Sequence, residues 1–301
     1  MNKINFYHSL FFFNLCIFLS AFEFLRDKSL LILSLFLILS LGISHGALDH
    51  VKGKKLLKIF NSKSTITFYF LYILVGLGII LLWLLFPKIV LLAFLIIASF
   101  HFGKEDSEFI NYKPNQEIIY FFKGSLVITA PLLFHKTETI EIFNYLNFDV
   151  SQNLLISDNF LYLFIIISFF ANLFISFNKK MDIKSLLIMD FASILLINYF
   201  LSPILAFTVY FCFLHSIRHS FKLSNELNKK DFIKGLKEFI MKAMPLTILT
   251  GFMFLISLFF LNNYYFLDNA ISKVIFIGLA SLTFPHILLE YFLEKNEKQR
   301  N

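Results

Sequence analysis

Apolar runs close to the ~20 residues that a helix needs to span a bilayer recur along the whole chain. They fall at 6–25, 29–49, 66–86, 88–103, 117–135, 154–177, 185–201, 203–221, 238–261 and 271–293. In hydrocarbon every backbone N–H and C=O must be satisfied within the protein, so runs of this length are helices. The expected fold is all-α: a polytopic transmembrane bundle of about ten helices, in a single membrane domain over residues 1–301. Only 16% of residues are charged, against roughly 25% in a soluble domain. Pro87 divides the third run from the fourth, and Ser202-Pro203 alone divides the seventh from the eighth. The first run is followed by Phe22-Glu23-Phe24-Leu25-Arg26, which offers no small-residue cleavage site. It is therefore expected to stay as a transmembrane helix.

Charge orients the bundle. With the amino terminus inside, the inner segments carry most of the basic residues, five lysines in 52–63 and five in 222–237 among them. The outer segments hold only Arg26, Lys28, Lys88, Lys136 and Lys273. This bias predicts both termini in the cytoplasm and placement in a cell (inner) membrane. The net charge of +7 is thus a topology signal in loops beside membrane lipid and implies no nucleic-acid partner. Segment 227–240 alternates apolar residues with lysines at helical spacing and is expected to lie on the membrane surface. Cys16 and Cys212 sit in apolar runs without a CxxC partner, so neither a disulfide framework nor a thiolate ligand is expected.

Ionisable groups inside apolar runs are costly and usually functional. His45 and His50 end the second run, His101 the fourth, and His215 and His219 the eighth, while His286 lies in the inner half of the tenth. All six fall towards the cytoplasmic side of this topology. His8 and His135 do not, and are expected at the interfaces. His215-Ser-Ile-Arg-His219 places two imidazoles on one helical face, the spacing of paired histidine ligands in helical metal sites. Six histidines at one depth on four helices point to a metal, and imidazole suits Fe, Cu, Zn and Ni alike. Asp49 follows His45 by one turn, Glu105 and Asp106 follow His101, and Glu290 follows His286. Each can accept the second ring N–H of a ligating histidine, or meet the lysine-rich interface instead. Asp190 is expected to partner Arg218 or a histidine. Gly42, Gly46 and Gly103 allow close helix approach, and Pro285 frees a backbone carbonyl near Ser281.

The blocks His45-Gly-Ala-Leu-Asp-His50, Ser99-Phe-His101-Phe-Gly-Lys-Glu-Asp106, His215-Ser-Ile-Arg-His219 and Pro285-His286 resemble those of the Brp/Blh family of membrane β-carotene 15,15'-dioxygenases. The likeness runs through essentially the whole chain. One departure is Ser44, where the family pattern has a proline. The resemblance implies central cleavage of β-carotene by O2 to two molecules of retinal, which a rhodopsin-type pump would use as chromophore. It also implies non-haem Fe(II) held by His45, His101, His215 and His219, leaving His50 and His286 as supporting or pocket residues. An apolar substrate without hydrogen-bonding groups further implies an apolar tunnel, expected to be lined by phenylalanines.

Two other classes share parts of this pattern. Di-iron membrane desaturases and hydroxylases acting on lipids use histidine boxes, but with more histidines and HxxHH pairs, and no HH pair occurs here. A haem-binding or transport protein would also place histidines on facing helices, yet the matched broken helices of a transporter are not evident.

Overall fold

A computed structural model describes residues 2–22, 30–59, 64–110, 116–148 and 157–298, excepting the side chains of Asn2, His45, Glu297 and Lys298. The expected run ends at 23–25, 29 and 154–156 lie outside the described residues. Thirteen α-helices follow one another, with no strand among the described residues. They are α1 (Asn2–Ser20), α2 (Leu31–Leu37), α3 (Asp49–Ile59), α4 (Thr65–Leu85), α5 (Pro87–Glu105), α6 (Glu117–Phe134), α7 (Lys136–Tyr145), α8 (Asp158–Ser176), α9 (Met181–Phe200), α10 (Pro203–Val209), α11 (Ile217–Leu227), α12 (Phe232–Leu261) and α13 (Leu267–Lys298). Nine stretches among the described residues are long and apolar enough to cross a membrane. The more polar α1 packs along α9.

Local chemistry explains the boundaries. Pro87 and Pro203 open α5 and α10 at the first helical position, where the missing N–H costs nothing. Ser64 and Ser157 cap α4 and α8 by accepting from Thr67 N and Phe160 N. The polar segment 136–153 contains α7. One departure from the sequence expectation concerns the inner end of the ninth span. The lysine-bearing stretch after 227 is not a separate surface helix. Asp231 caps it through Lys234 N at 3.1 Å, and the helix runs unbroken from Phe232 to Leu261 through Pro245. Its lysines extend the inner end of a spanning helix, where long stems reach polar surroundings.

The second and eighth spans are not regular. α2 passes through a π-helical segment (Ile38–Gly42) and a 3₁₀ segment (Ile43–Leu48) into α3. α10 passes through a π-helical segment (Tyr210–Ser216) into α11. Such segments are rare and collect at functional sites. Here they touch each other. Ser216 Oγ donates to Gly42 O at 3.0 Å, and His8 Nε2 bonds Phe213 O at 2.7 Å. Both side chains serve carbonyls in the irregular turns. His8 is accordingly buried in the bundle and not at an interface as the sequence implied. Within the apolar windows of the spans, 78% of Pro203–Leu227 is buried but only 6% of α4 and of α12. The α10–α11 span is therefore central, and α4 and α12 turn most of their surface outward.

Candidate metal centre

Four segments bring their ionisable residues to one buried point beside the central span. α5 ends with His101 and Glu105, followed by its cap residue Asp106. The π segment and α11 carry His215 and His219. α13 carries His286 and Glu290, and α3 opens with Asp49 and His50. His101, His215, His219, His286, Asp49, Glu105 and Asp106 are all buried. The backbone of His45 lies in the 3₁₀ segment one turn before Asp49, and its side chain lies outside the described residues.

Glu105 stands at the middle. Its Oε2 lies 3.6 Å from His101 Nε2, 3.7 Å from His215 Nε2 and 3.0 Å from His219 Nδ1. Its Oε1 lies 3.8 Å from His286 Nε2. The ring centroid of His101 is 5.3 Å from that of His215 and 5.4 Å from that of His286. Ligand atoms of His101, Glu105, His286 and Glu290 all fall within 4.8 Å of one another.

The outer ring nitrogens are held by carboxylates from other segments. His286 Nδ1 donates to both oxygens of Asp49 at 2.9 Å, and Tyr72 OH donates to Asp49 Oδ2 at 2.7 Å. His215 Nδ1 donates to Asp106 Oδ1 at 3.0 Å, and Tyr210 OH donates to Asp106 Oδ2 at 2.6 Å. A carboxylate accepts only, so each Nδ1 carries a proton, and each Nε2 faces Glu105. This is the arrangement that prepares a histidine for a metal. Phe211 stacks on His215 at 5.7 Å and Phe102 meets it edge-on at 4.9 Å, which fixes the ring plane. Arg218 donates to both oxygens of Asp190, at 2.7 and 3.1 Å, and to Ser9 and the Asp106 carbonyl, tying α1, α9 and α11 together beneath the site.

The remaining expected site residues lie at the edge. Lys52 donates to Glu290 at 2.6 Å, so Glu290 meets both a lysine and His286, the latter at 3.9 Å. His50 Nδ1 bonds Ala47 O at 2.9 Å and lines a neighbouring cavity. His135 ends α6, 3.7 Å from Glu138. The sequence reading did not single out Tyr72, Tyr210, Phe211 or Lys52. The two tyrosines had a usable signal, since a hydroxyl inside an apolar run needs a partner.

The cavity beside His286 measures about 370 Å³. Its walls include Gly46, Ala47, His50, Tyr72, Gly76, Phe211, Thr250 and Leu279. Among its described lining residues are two phenylalanines, Phe68 and Phe211, with small and aliphatic side chains making most of the space. A second, more open apolar groove of about 1120 Å³ lies along α2, α11, α12 and α13 and includes Ser44, Ser216 and Ser220. Thr247 of α12 borders both.

Replacing Asp106 by Asn is expected to lower metal affinity roughly 10–100-fold. Asn has one acceptor oxygen where His215 and Tyr210 now use two, so the imidazole loses its enforced tautomer. Metal titration of the folded variant reads this directly, and wild-type affinity would refute it.

The fold and centre together define a polytopic helical membrane protein with a buried histidine–carboxylate cluster suited to a metal. A family model described as Beta-carotene 15,15'-dioxygenase matches residues 36–294. A protein of an uncultured marine bacterium (66A03), named Beta-carotene 15,15'-dioxygenase, is 26% identical over 271 residues, covering 89% of this chain and 95% of the relative. No solved structure matches. The chain belongs to the β-carotene 15,15'-dioxygenase family.

Proposed function

We propose that this chain cleaves the central 15,15' double bond of β-carotene with O2 to give two molecules of all-trans-retinal. The observation that carries the reading is a buried, oriented histidine cluster set against an apolar cavity. The metal we assign is Fe(II), held by His45, His101, His215 and His219 in line with the family motif. The donor set fits: the described imidazoles converge on one buried point, and His215 is held through its Nδ1 by Asp106. Bound iron would supply the binding and activation of O2. Both oxygen atoms end in the two aldehydes, so no external reductant is needed.

The chain's own residues do the rest. β-Carotene offers nothing to hydrogen-bond, so it is selected by the length and shape of apolar space. The substrate is symmetric about the bond that is cut and must extend to both sides of the centre. The 370 Å³ cavity receives one half next to His286. The groove, whose wall includes Ser44, Ser216 and Ser220, receives the other and opens to the lipid that delivers the substrate. Holding one double bond against the centre is the main contribution of such walls to rate. The protein acts as one membrane domain in the cell membrane, with both termini and the centre towards the cytoplasm, and the retinal serves a rhodopsin-type acceptor.

Expression in cells that accumulate β-carotene tests this. The pigment is expected to bleach and retinal to appear. Unchanged pigment with folded, iron-loaded protein would overturn the reading. Thr250→Trp is expected to fill the cavity and lower retinal formation roughly a hundredfold, the effect of displacing a substrate by about 1 Å, with metal content unchanged. Full activity in that variant would exclude the cavity as the substrate site.

A further inference from the structure

We infer that Lys123 is a positioning residue for the metal centre: its buried ammonium secures the charge of Asp106, and through Asp106 the orientation of His215. The inference rests on the cluster being a metal centre, as proposed above, and adds to it a group outside the histidine cluster.

Lys123 stands in α6, which is long and apolar enough to span a membrane. A lysine in such a helix is costly, and its long stem usually carries the charge out to the interface. This one stays inside, with only 8% of the residue exposed. The helix crossing explains the placement. α6 meets α5 backbone to backbone, where a Cβ on Gly124 would lie 1.9 Å from Ser99 O. Ser168 of α8 donates to Lys123 O at 3.2 Å. Lys123 precedes Gly124 and is thereby fixed near Asp106, the residue that caps α5.

Lys123 and Asp106 line one cavity of about 10 Å³ together with Asn172, Asp190 and Tyr210. The charges of Asp106, Asp190 and Arg218 act on the lysine there. A space of this size takes a single water when polar groups surround it. Such a water accepts from the ammonium and donates to Asp106 and to the Asn172 carbonyl oxygen, the Asn172 amide nitrogen being used on Ser168 O.

The balance of charge shows what the lysine does. Arg218 is committed to both oxygens of Asp190, to Ser9 and to the backbone carbonyl of Asp106. The Asp106 carboxylate takes its direct bonds from an imidazole and a phenol, His215 Nδ1 and Tyr210 OH. Asp106, Asp190 and Arg218 alone leave one negative charge buried, and a buried charge without compensation is strongly unfavourable. Lys123 makes the group neutral. Asp106 can then stand as the full carboxylate that holds the His215 ring by Nδ1, with Nε2 facing Glu105 at 3.7 Å.

The test uses the full chain in detergent, titrated with Co(II), whose visible absorption reports affinity and ligand geometry together, with retinal formation measured alongside. Lys123→Met keeps the length of the side chain and removes the charge. It is expected to weaken Co(II) binding roughly tenfold, the lower end for groups that support a ligand. Its visible bands are expected to shift in the same direction as those of Asp106→Asn. Adding Lys123→Met to Asp106→Asn is expected to change affinity less than about twofold further, because the two residues act in one chain of contacts. Lys123→Arg is expected to keep the wild-type bands. A lysine that only packs would give the same loss in both backgrounds with the bands unmoved. Lys123→Gln, polar and uncharged, carries the test should Lys123→Met not fold. Wild-type affinity in a folded uncharged variant, or an undiminished loss in the Asp106→Asn background, would overturn the inference. Either result, with metal bound and retinal formed by wild type, leaves the proposed reaction standing. Wild type that binds no metal would overturn both. The expected affinities without retinal would support the positioning role and overturn the reaction.

Discussion

Replacing His101 or His215 by alanine is expected to remove both bound metal and retinal formation. His101 lies between His215 and His286, with ring centroids 5.3 and 5.4 Å away. His215 is fixed from every direction: Asp106 on Nδ1, Phe211 on its face and Phe102 at its edge. Its loss deletes a donor and leaves Asp106 with one of its two bonding partners in the site. Four-ligand sites in small metal domains bind with ~10–16 kcal/mol, so one ligand is worth roughly 3 kcal/mol, above a hundredfold in affinity. Metal analysis of each variant, with circular dichroism to establish folding, checks the first half, and product analysis the second. His135→Ala is the control. His135 ends α6 beside Glu138, away from the cluster, and the variant is expected to keep metal and activity. Metal retained in His101→Ala, or lost from folded His135→Ala, would refute the assignment.

Much of the scaffold was legible because a bilayer is a demanding solvent. It forces long apolar runs, and Pro87 and Pro203 stood out as the breaks between them, where α5 and α10 begin. Histidines were legible for the same reason, since an imidazole is conspicuous in a run of Leu, Ile and Phe. Their pairing with acids was legible in part. Spacing of one turn paired Glu105 with His101 and Glu290 with His286, which lie 3.6 and 3.9 Å apart, while the pairing of Asp49 with His45 falls on a side chain outside the described residues. Spacing could not show that Asp49 receives His286, 237 positions away, or that Asp106 receives His215, 109 positions away. A local rule sees only neighbours on one helix, whereas crossing helices decide these contacts. The π-helical segments were hidden too, because one extra residue in a turn leaves the hydrophobic pattern of an all-apolar run unchanged. Yet they set the aim of His215 and bring Gly42 to Ser216. His8 was misplaced by its position near a terminus. The carbonyl it bonds, Phe213 O, belongs to one of those hidden turns.

The crossing of α5 and α6 has the same hidden weight, and Gly103→Val is expected to cost both the fold and the metal. A Cβ on Gly103 would lie 1.8 Å from Tyr120 O and 2.9 Å from Gly124 N. A Cβ on Gly124 would lie 1.9 Å from Ser99 O. Backbone meets backbone here, and no flexible side chain can move aside. Normal contact needs 3.5–4.0 Å, so even one methyl drives the helices apart by roughly 1.5 Å. In membranes such small-residue crossings are a main source of helix association. Overpacking of this kind costs about 1–3 kcal/mol and occasionally more, and a branched side chain against the Tyr120 carbonyl and the Gly124 amide belongs at the upper end. The displacement also reaches the centre, since Gly103 lies between His101 and Glu105 on the same turns of α5. Sites of this type tolerate shifts of only about 0.5 Å. Thermal unfolding in detergent should show Gly103→Ala less stable than wild type and Gly103→Val poorly folded, with metal content falling in the same order. Gly124→Ala should resemble Gly103→Ala. The double alanine variant should cost less than the sum, because the first methyl has already opened the gap the second would need. Wild-type stability in either single variant would mean that the two helices do not cross at this point.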